Sequence, residues 1–231
     1  MPDSKPVVTY AILGITVIVY LLQMATQSLF GTDIPALYGT KVNELIAQGQ
    51  YWRLFTPLLL HGSILHIGFN MYALWILGRD IERFYGRWRF LAIYLVSGFG
   101  GNVFSMIFTP APSLGASTAI FGLFAAEGMF FFQNRHIFGR RSQQAIYQII
   151  VLAAINFFLG LSPGIDNWGH LGGFLAGGMF AYIGVPVLDV RPSYPGYEVH
   201  DRRSKNAGLI ATLVVFVFFS FLAAMTLYMR R

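Results

Sequence analysis

Apolar positions gather into seven blocks separated by polar connections: Val7 to Leu29, Ser63 to Gly78, Phe90 to Thr109, Gly115 to Phe132, Ala145 to Ser162, Gly169 to Leu188 and Gly208 to Tyr228. A helix needs about 20 mostly apolar residues to cross the hydrocarbon of a bilayer, and every block but the second comes near that length. The second is short, so the neighbouring Pro57 to His61 is expected to complete its crossing in irregular form. The first block is too long and too weakly charged at its start for a cleaved signal peptide, and is read as a retained helix. Two connections are long. The stretch "IPALYGTKVNELIAQGQYW" mixes apolar and polar residues and is expected at headgroup level, with Tyr51 and Trp52 as interface anchors. The connection over residues 189–206 is rich in Pro and charge and reads as a solvated linker to an appended helix over 207–231. The fold class expected is an all-α polytopic membrane protein with its core in 1–188.

Composition agrees with the pattern. The chain has 231 residues, of which 55% are hydrophobic and 11% charged, whereas soluble domains carry about 25% charged residues. That much apolar surface fits no single soluble core. The absence of cysteine excludes disulfides and thiolate metal sites. The net charge of +6 does not mark a nucleic-acid surface, because the basic residues sit in short connections with no aromatic-basic platform. Their distribution instead reads as topology. Connections 79–89, 133–144 and 189–206 hold eleven Lys and Arg, against two in 30–62, 110–114 and 163–168. By the positive-inside rule the first group and the N-terminus, with Lys5, face the cytoplasm. Arg230 and Arg231 then stand at the outer end of the last block, against the rule.

With that topology, the costly polar residues fall at one depth. Ser117 opens the fourth block, His170 the sixth, and His61, His66 and Asn70 lie at the outer end of the second. Polar and ionisable groups at membrane depth mark functional sites by default. His66 and Asn70, four apart, share a helix face. In "GHLGGFLAGG", Gly169, Gly173 and Gly177 recur every four residues, a spacing that lets helix backbones approach closely in lipid. A neighbour carrying Gly115, Ala116, Gly122, Ala125 and Ala126 could pack there and bring its serine to His170. Such a pair suits acyl transfer, in which neutral imidazole takes the proton of a serine hydroxyl. The Ser117 N–H, the His66 ring and the Asn70 amide are candidate oxyanion donors. Asp166 and Asn167 read as loop residues, and Glu127, mid-block, has no assigned role. No His-Glu-x-x-His helix or second carboxylate accompanies the histidines, so neither metal nor cofactor is expected. The two halves show no repeat of the transporter kind.

"HGSILHIGFN", "GASTAIFG" and "NWGHLGGFLAGG", in that order, with "YWRLF" before them and "IERFYG" after the first, resemble the rhomboid intramembrane serine proteases. The resemblance implies a six-helix catalytic core with an extra C-terminal helix and a Ser-His dyad lacking a third acid. It places Ser117 as nucleophile, in the Gly-x-Ser motif that begins at Gly115, and His170 as general base. His66 and Asn70 match the oxyanion pair and His61 the first histidine of the second block. Thr118 stands where a glycine usually follows the nucleophile, and Phe121 where a tyrosine often stacks on the base. The implied substrates are transmembrane proteins that enter between the second and fifth spans and unwind locally, in a bacterial plasma membrane, with the site near the extracytoplasmic face. The alternative is a catalytically silent relative that binds transmembrane clients.

Overall fold

A computed structural model describes residues 5–160, 162 and 164–230. Arg231 and the first four residues of the expected core lie outside the described residues, as does Leu161 of the fifth block. A long helix occupies each apolar block. In chain order the elements are α1 (Val7–Phe30), α2 (Ile34–Gly39), α3 (Asn43–Ala47), two 3₁₀ turns (Tyr51–Leu54 and Thr56–Leu59), α4 (Ile64–Tyr85) and α5 (Arg87–Phe108). Then come α6 (Ser117–Gln133), α7 (Arg135–Phe138), α8 (Arg140–Leu159), α9 (Asn167–Gly184), β1 (Leu188–Ser193), β2 (Gly196–Asp201) and α10 (Ala207–Met229). Among the described residues, α1, α5 and α10 are long and apolar enough by themselves to cross a membrane.

The core forms where α5, α6 and α9 meet, with α10 against α5 and α9, α1 against α4, and α8 against α6. In lipid no hydrophobic force draws helices together, so close backbone packing must do it. At Gly101 of α5, an added Cβ would lie 2.6 Å from both the Gly169 carbonyl oxygen and Thr118 Cβ. At Gly173 and Gly177 of α9 it would strike the Thr118 carbonyl and the Gly122 backbone. The α6–α9 contact expected from the four-residue glycine spacing is therefore present, and α5 joins it through glycines of its own.

Helix α4 runs two turns beyond the second apolar block. Its charged sequence "RDIERFY" continues as helix because Ile81 and Tyr85 stay buried and Glu82 is wholly buried with them. Pro6 gives α1 no side-chain cap, and Glu82 caps it across the bundle, accepting from Val8 N at 2.9 Å, Thr9 N at 2.8 Å and Thr9 Oγ1 at 2.7 Å. Leaving buried donors without acceptors costs about 1–3 kcal/mol each. Glu82→Ala is therefore expected to lower the thermal unfolding midpoint in detergent by several degrees, while a Glu44→Ala control does not.

One connection differs from its sequence reading. Residues 189–206 were expected as a solvated linker, and the sixth block was expected to reach Leu188. Instead α9 stops at Gly184, and β1 and β2 form an antiparallel hairpin pairing Val190 with Val199. The alternation of "LDVRPS" and "GYEVHD" around a Pro-Gly turn is the strand signal that the charge obscured. The hairpin is tied to the bundle by Asp201 Oδ2 and Arg89 Nη1 at 2.8 Å, and by Arg203 donating to Ile183 O and Tyr182 O, each at 2.7 Å. The connection over residues 31–61 is a folded unit as well, built of α2, α3 and the two 3₁₀ turns. Arg53 donates to Leu37 O, Thr40 O and Gln50 Oε1, and Lys41 Nζ to Thr109 O and Ala111 O. Lys41 and Arg53 are thus buried anchors for backbone carbonyls. Tyr51 and Trp52 remain exposed, as interface residues would be.

Candidate active site

The chain enters α6 through a turn that only glycine allows. Gly115 has φ +134°, and a Cβ there would sit 2.8 Å from His66 Nε2. Its N–H donates to Pro57 O at 2.9 Å, joining this turn to the irregular stretch before α4. The fourth apolar block began at Gly115, but the helix itself begins at Ser117. Ser117 therefore sits in the first turn, where backbone N–H groups have no partner within the helix and the dipole is positive.

Across the α6–α9 contact, Ser117 Oγ and His170 Nε2 stand 2.8 Å apart. Phe121, one turn along α6, lies flat on the imidazole at 4.3 Å between ring centres with 11° between planes. Asp166 caps α9, accepting from Gly169 N at 3.0 Å and Thr109 Oγ1 at 2.8 Å. That cap fixes the first turn of α9, and so the height of His170. His170 Nδ1 is buried and has no hydrogen-bond partner among the described residues.

The second-block residues border the same space. The His61 and His66 rings meet edge to face at 5.0 Å. The His61 ring faces the Ala116 N–H at 3.5 Å, and its own backbone N–H donates to Gln23 Oε1 at 3.0 Å. The Asn70 amide donates back to the His66 carbonyl at 2.8 Å rather than into the site. Thr118 occupies the position next to Ser117 where the resemblance puts a glycine. Its methyl meets the positions of Gly101 and Gly169, so the branched side chain fills the α5–α9 seam instead of crowding Ser117.

Two further positions, Gln23 and Lys41, shape the site without having been singled out in the sequence, and Asp166, read there as a loop residue, does so too. Gln23, a polar residue inside the first apolar block, is buried and bridges His61 to Asp33. Lys41 pairs with Ser113 in a short antiparallel bridge, which holds the turn leading to Ser117. Asp166 is a cap as well as a loop residue. Burial pushes the Lys41 ammonium from its ordinary value near 10.5 down to about 8, against the pull of the Asp166 carboxylate. Between about 8 and 10.5 the folded chain then holds fewer protons at Lys41 than the unfolded chain. The penalty is full below the lower value and gone above the upper, so stability is expected to rise with pH across this window. Thermal midpoints measured through it should lose that rise in Lys41→Met.

Comparison with known proteins bears on what this arrangement is. A model of the Rhomboid domain matches residues 48–187. The chain is 42% identical over 187 residues to the Rhomboid protease GluP of Bacillus subtilis (strain 168), covering 80% of this chain and 36% of that protein. It is 31% identical over 203 residues to the Rhomboid protease AarA of Providencia stuartii, covering 77% of this chain and 72% of that protein. RHOMBOID-like protein 5 of Arabidopsis thaliana is 34% identical over 192 residues, covering 77% of this chain and 60% of that protein. The chain thus spans about a third of GluP but most of AarA.

Proposed function

The chain belongs to the rhomboid family, and from that premise we propose that it is an intramembrane serine endopeptidase working through Ser117 and His170. The observation that carries this reading is the 2.8 Å approach of Ser117 Oγ to His170 Nε2 in a part-buried setting. In the proposed reaction, Nε2 takes the hydroxyl proton as Oγ attacks the scissile carbonyl carbon. The tetrahedral oxyanion is met by the N–H of Ser117 at the positive end of α6, by the His66 ring and by the Asn70 amide. Asn70 would leave its bond to the His66 carbonyl to do so. The intermediate collapses as the imidazolium returns the proton to the departing amine. Water, deprotonated by the same ring, then releases the acyl group from Ser117. Preorganised donors of this kind are each worth about 2.7–4 kcal/mol in the best-studied soluble case. Phe121 holds the imidazole plane, and the His61 ring braces the turn at Ala116.

The substrate class is transmembrane segments of other membrane proteins. A regular helix satisfies its own backbone groups and shields its carbonyls, so local unwinding beside the site is required. In the proposed topology all seven long helices cross the bilayer, the N-terminus is cytoplasmic, and the site lies near the extracytoplasmic face of a bacterial plasma membrane. The basic connections support this; Lys41 and Arg53, in the connection over 31–61, are buried structural anchors, and Arg230 and Arg231 alone run against it. The second reading, a silent client-binding relative, rested on Thr118, and the course of that side chain away from Ser117 weighs against it. Reconstitution with a reporter carrying one transmembrane segment tests the proposal. Cleavage within or beside that segment is expected. An intact reporter, with the protein folded and inserted, contradicts it.

A further inference from the structure

Among the described residues, helix α8 packs on the core chiefly through a single neighbour, α6, and a cleft separates it from α9. The cleft encloses about 310 Å³ and is walled almost wholly by carbon, with Phe124, Met129 and Phe132 of α6, Ile146 and Ile149 of α8 and Phe174 of α9. Ile146 and Ala153, which bound it along α8, lie about 9 and about 20 Å beyond Arg140 at the helical rise per residue. One leaflet of hydrocarbon is about 15 Å deep. The cleft therefore has the depth of an acyl chain, measured from the end of the bundle where α8 begins.

The connection there is positive, and Arg135, Arg140 and Arg141 have no ion-pair partner among the described residues. Residues 133–144 contain Arg135, Arg140 and Arg141 and no acidic residue. The Arg135 guanidinium lies 4.8 Å over the Phe132 ring, and that ring lines the cleft, so a cation stands at its mouth. Arg140 and Arg141 open α8, whose N-cap Gly139 offers no side chain, and cations are disfavoured at the positive end of a helix. Ser142 follows them one turn before Ile146, buried, its hydroxyl without a partner among the described residues. An anion above the cleft relieves the clustered positive charge, and an apolar chain fills the space below. We propose that this cleft binds one anionic phospholipid, its phosphate held by Arg135, Arg140 and Arg141 and one acyl chain lying between α8 and α9. The bound lipid then braces α8 where protein contacts do not.

Native mass spectrometry and thermal unfolding of the full chain in neutral detergent test this. Phosphatidylglycerol is expected to bind one per chain and raise the midpoint, well ahead of phosphatidylcholine, while inorganic phosphate alone gives no shift. Surface attraction is about 1 kcal/mol per arginine, so Arg140→Gln with Arg141→Gln should weaken the phosphatidylglycerol preference about thirty-fold. Gly178→Leu should block both lipids by filling the cleft, since at Gly178 a Cβ meets only Ala125, at 3.9 Å. The surface arginine variant keeps the test decisive should the cleft variant fold poorly. Equal binding of the two lipids, an equal shift from free phosphate, retained preference in the arginine variant, or a pair of chains in place of one lipid per chain would each overturn the proposal. None of these readouts depends on proteolysis, so they stand apart from the catalytic reading.

Discussion

Replacing Ser117 with alanine is expected to abolish cleavage of a transmembrane reporter, by at least about 10⁴-fold, while leaving insertion and the thermal midpoint nearly unchanged. The expectation follows from the position of the hydroxyl. It is the one group within hydrogen-bond reach of His170 Nε2 among the described residues, and it sits at the open first turn of α6. Removing it deletes the atom proposed to form the acyl bond without uncapping a helix. His170→Ala should cost about as much, and the double variant little more than either, because nucleophile and base act as a unit. Additive losses would show instead that the two residues work separately.

The second large effect is expected from a residue without any reactive group. A Cβ at position 173 would collide with the Thr118 carbonyl, the backbone of the residue after the proposed nucleophile. Nothing there is a flexible chain end that could move aside, so α6 and α9 must part. Overpacking of this kind costs about 1–3 kcal/mol, more than alanine's advantage in helix propensity of about 1 kcal/mol restores. The functional loss should be larger than the loss of stability. A misplacement of about 1 Å costs on the order of 10²-fold in rate, and the Ser117–His170 hydrogen bond spans this contact. Gly173→Ala is therefore expected to reduce cleavage at least about a hundred-fold. Gly178→Ala, on the same helix with only an ordinary contact to Ala125 at its Cβ, should stay within about 0.5 kcal/mol of the parent in stability and near it in activity.

These two residues also show what could be read without coordinates. The period of Gly169, Gly173 and Gly177 identifies a smooth helix face, and depth within the apolar blocks groups Ser117, His170, His61, His66 and Asn70. Both are one-dimensional patterns with a direct geometric meaning. The partner helix for that face is harder to read. The glycines of "SGFGGN" in α5 make it the most buried of the three strongly apolar helices, yet they lack the four-residue period and gave no signal. Glu82, Gln23 and Lys41 escaped notice for a different reason. Each satisfies backbone groups far away in sequence, and a lone charge in a connection, or a lone amide inside an apolar block as at Gln23, looks the same whether or not it meets a distant partner. Thr118 was visible as a departure from the family pattern, but its direction depends on where Gly101 and Gly169 leave room. The hairpin after α9 was hidden by charge, since its alternation is short and its faces are mostly wet.

The most direct measurement is mass spectrometry of the full chain after treatment with a serine-reactive phosphonate. A single adduct on the peptide containing Ser117, lost in His170→Ala, is the predicted result. An unmodified Ser117 in a folded, membrane-inserted protein, or an adduct that persists without the His170 ring, would contradict it.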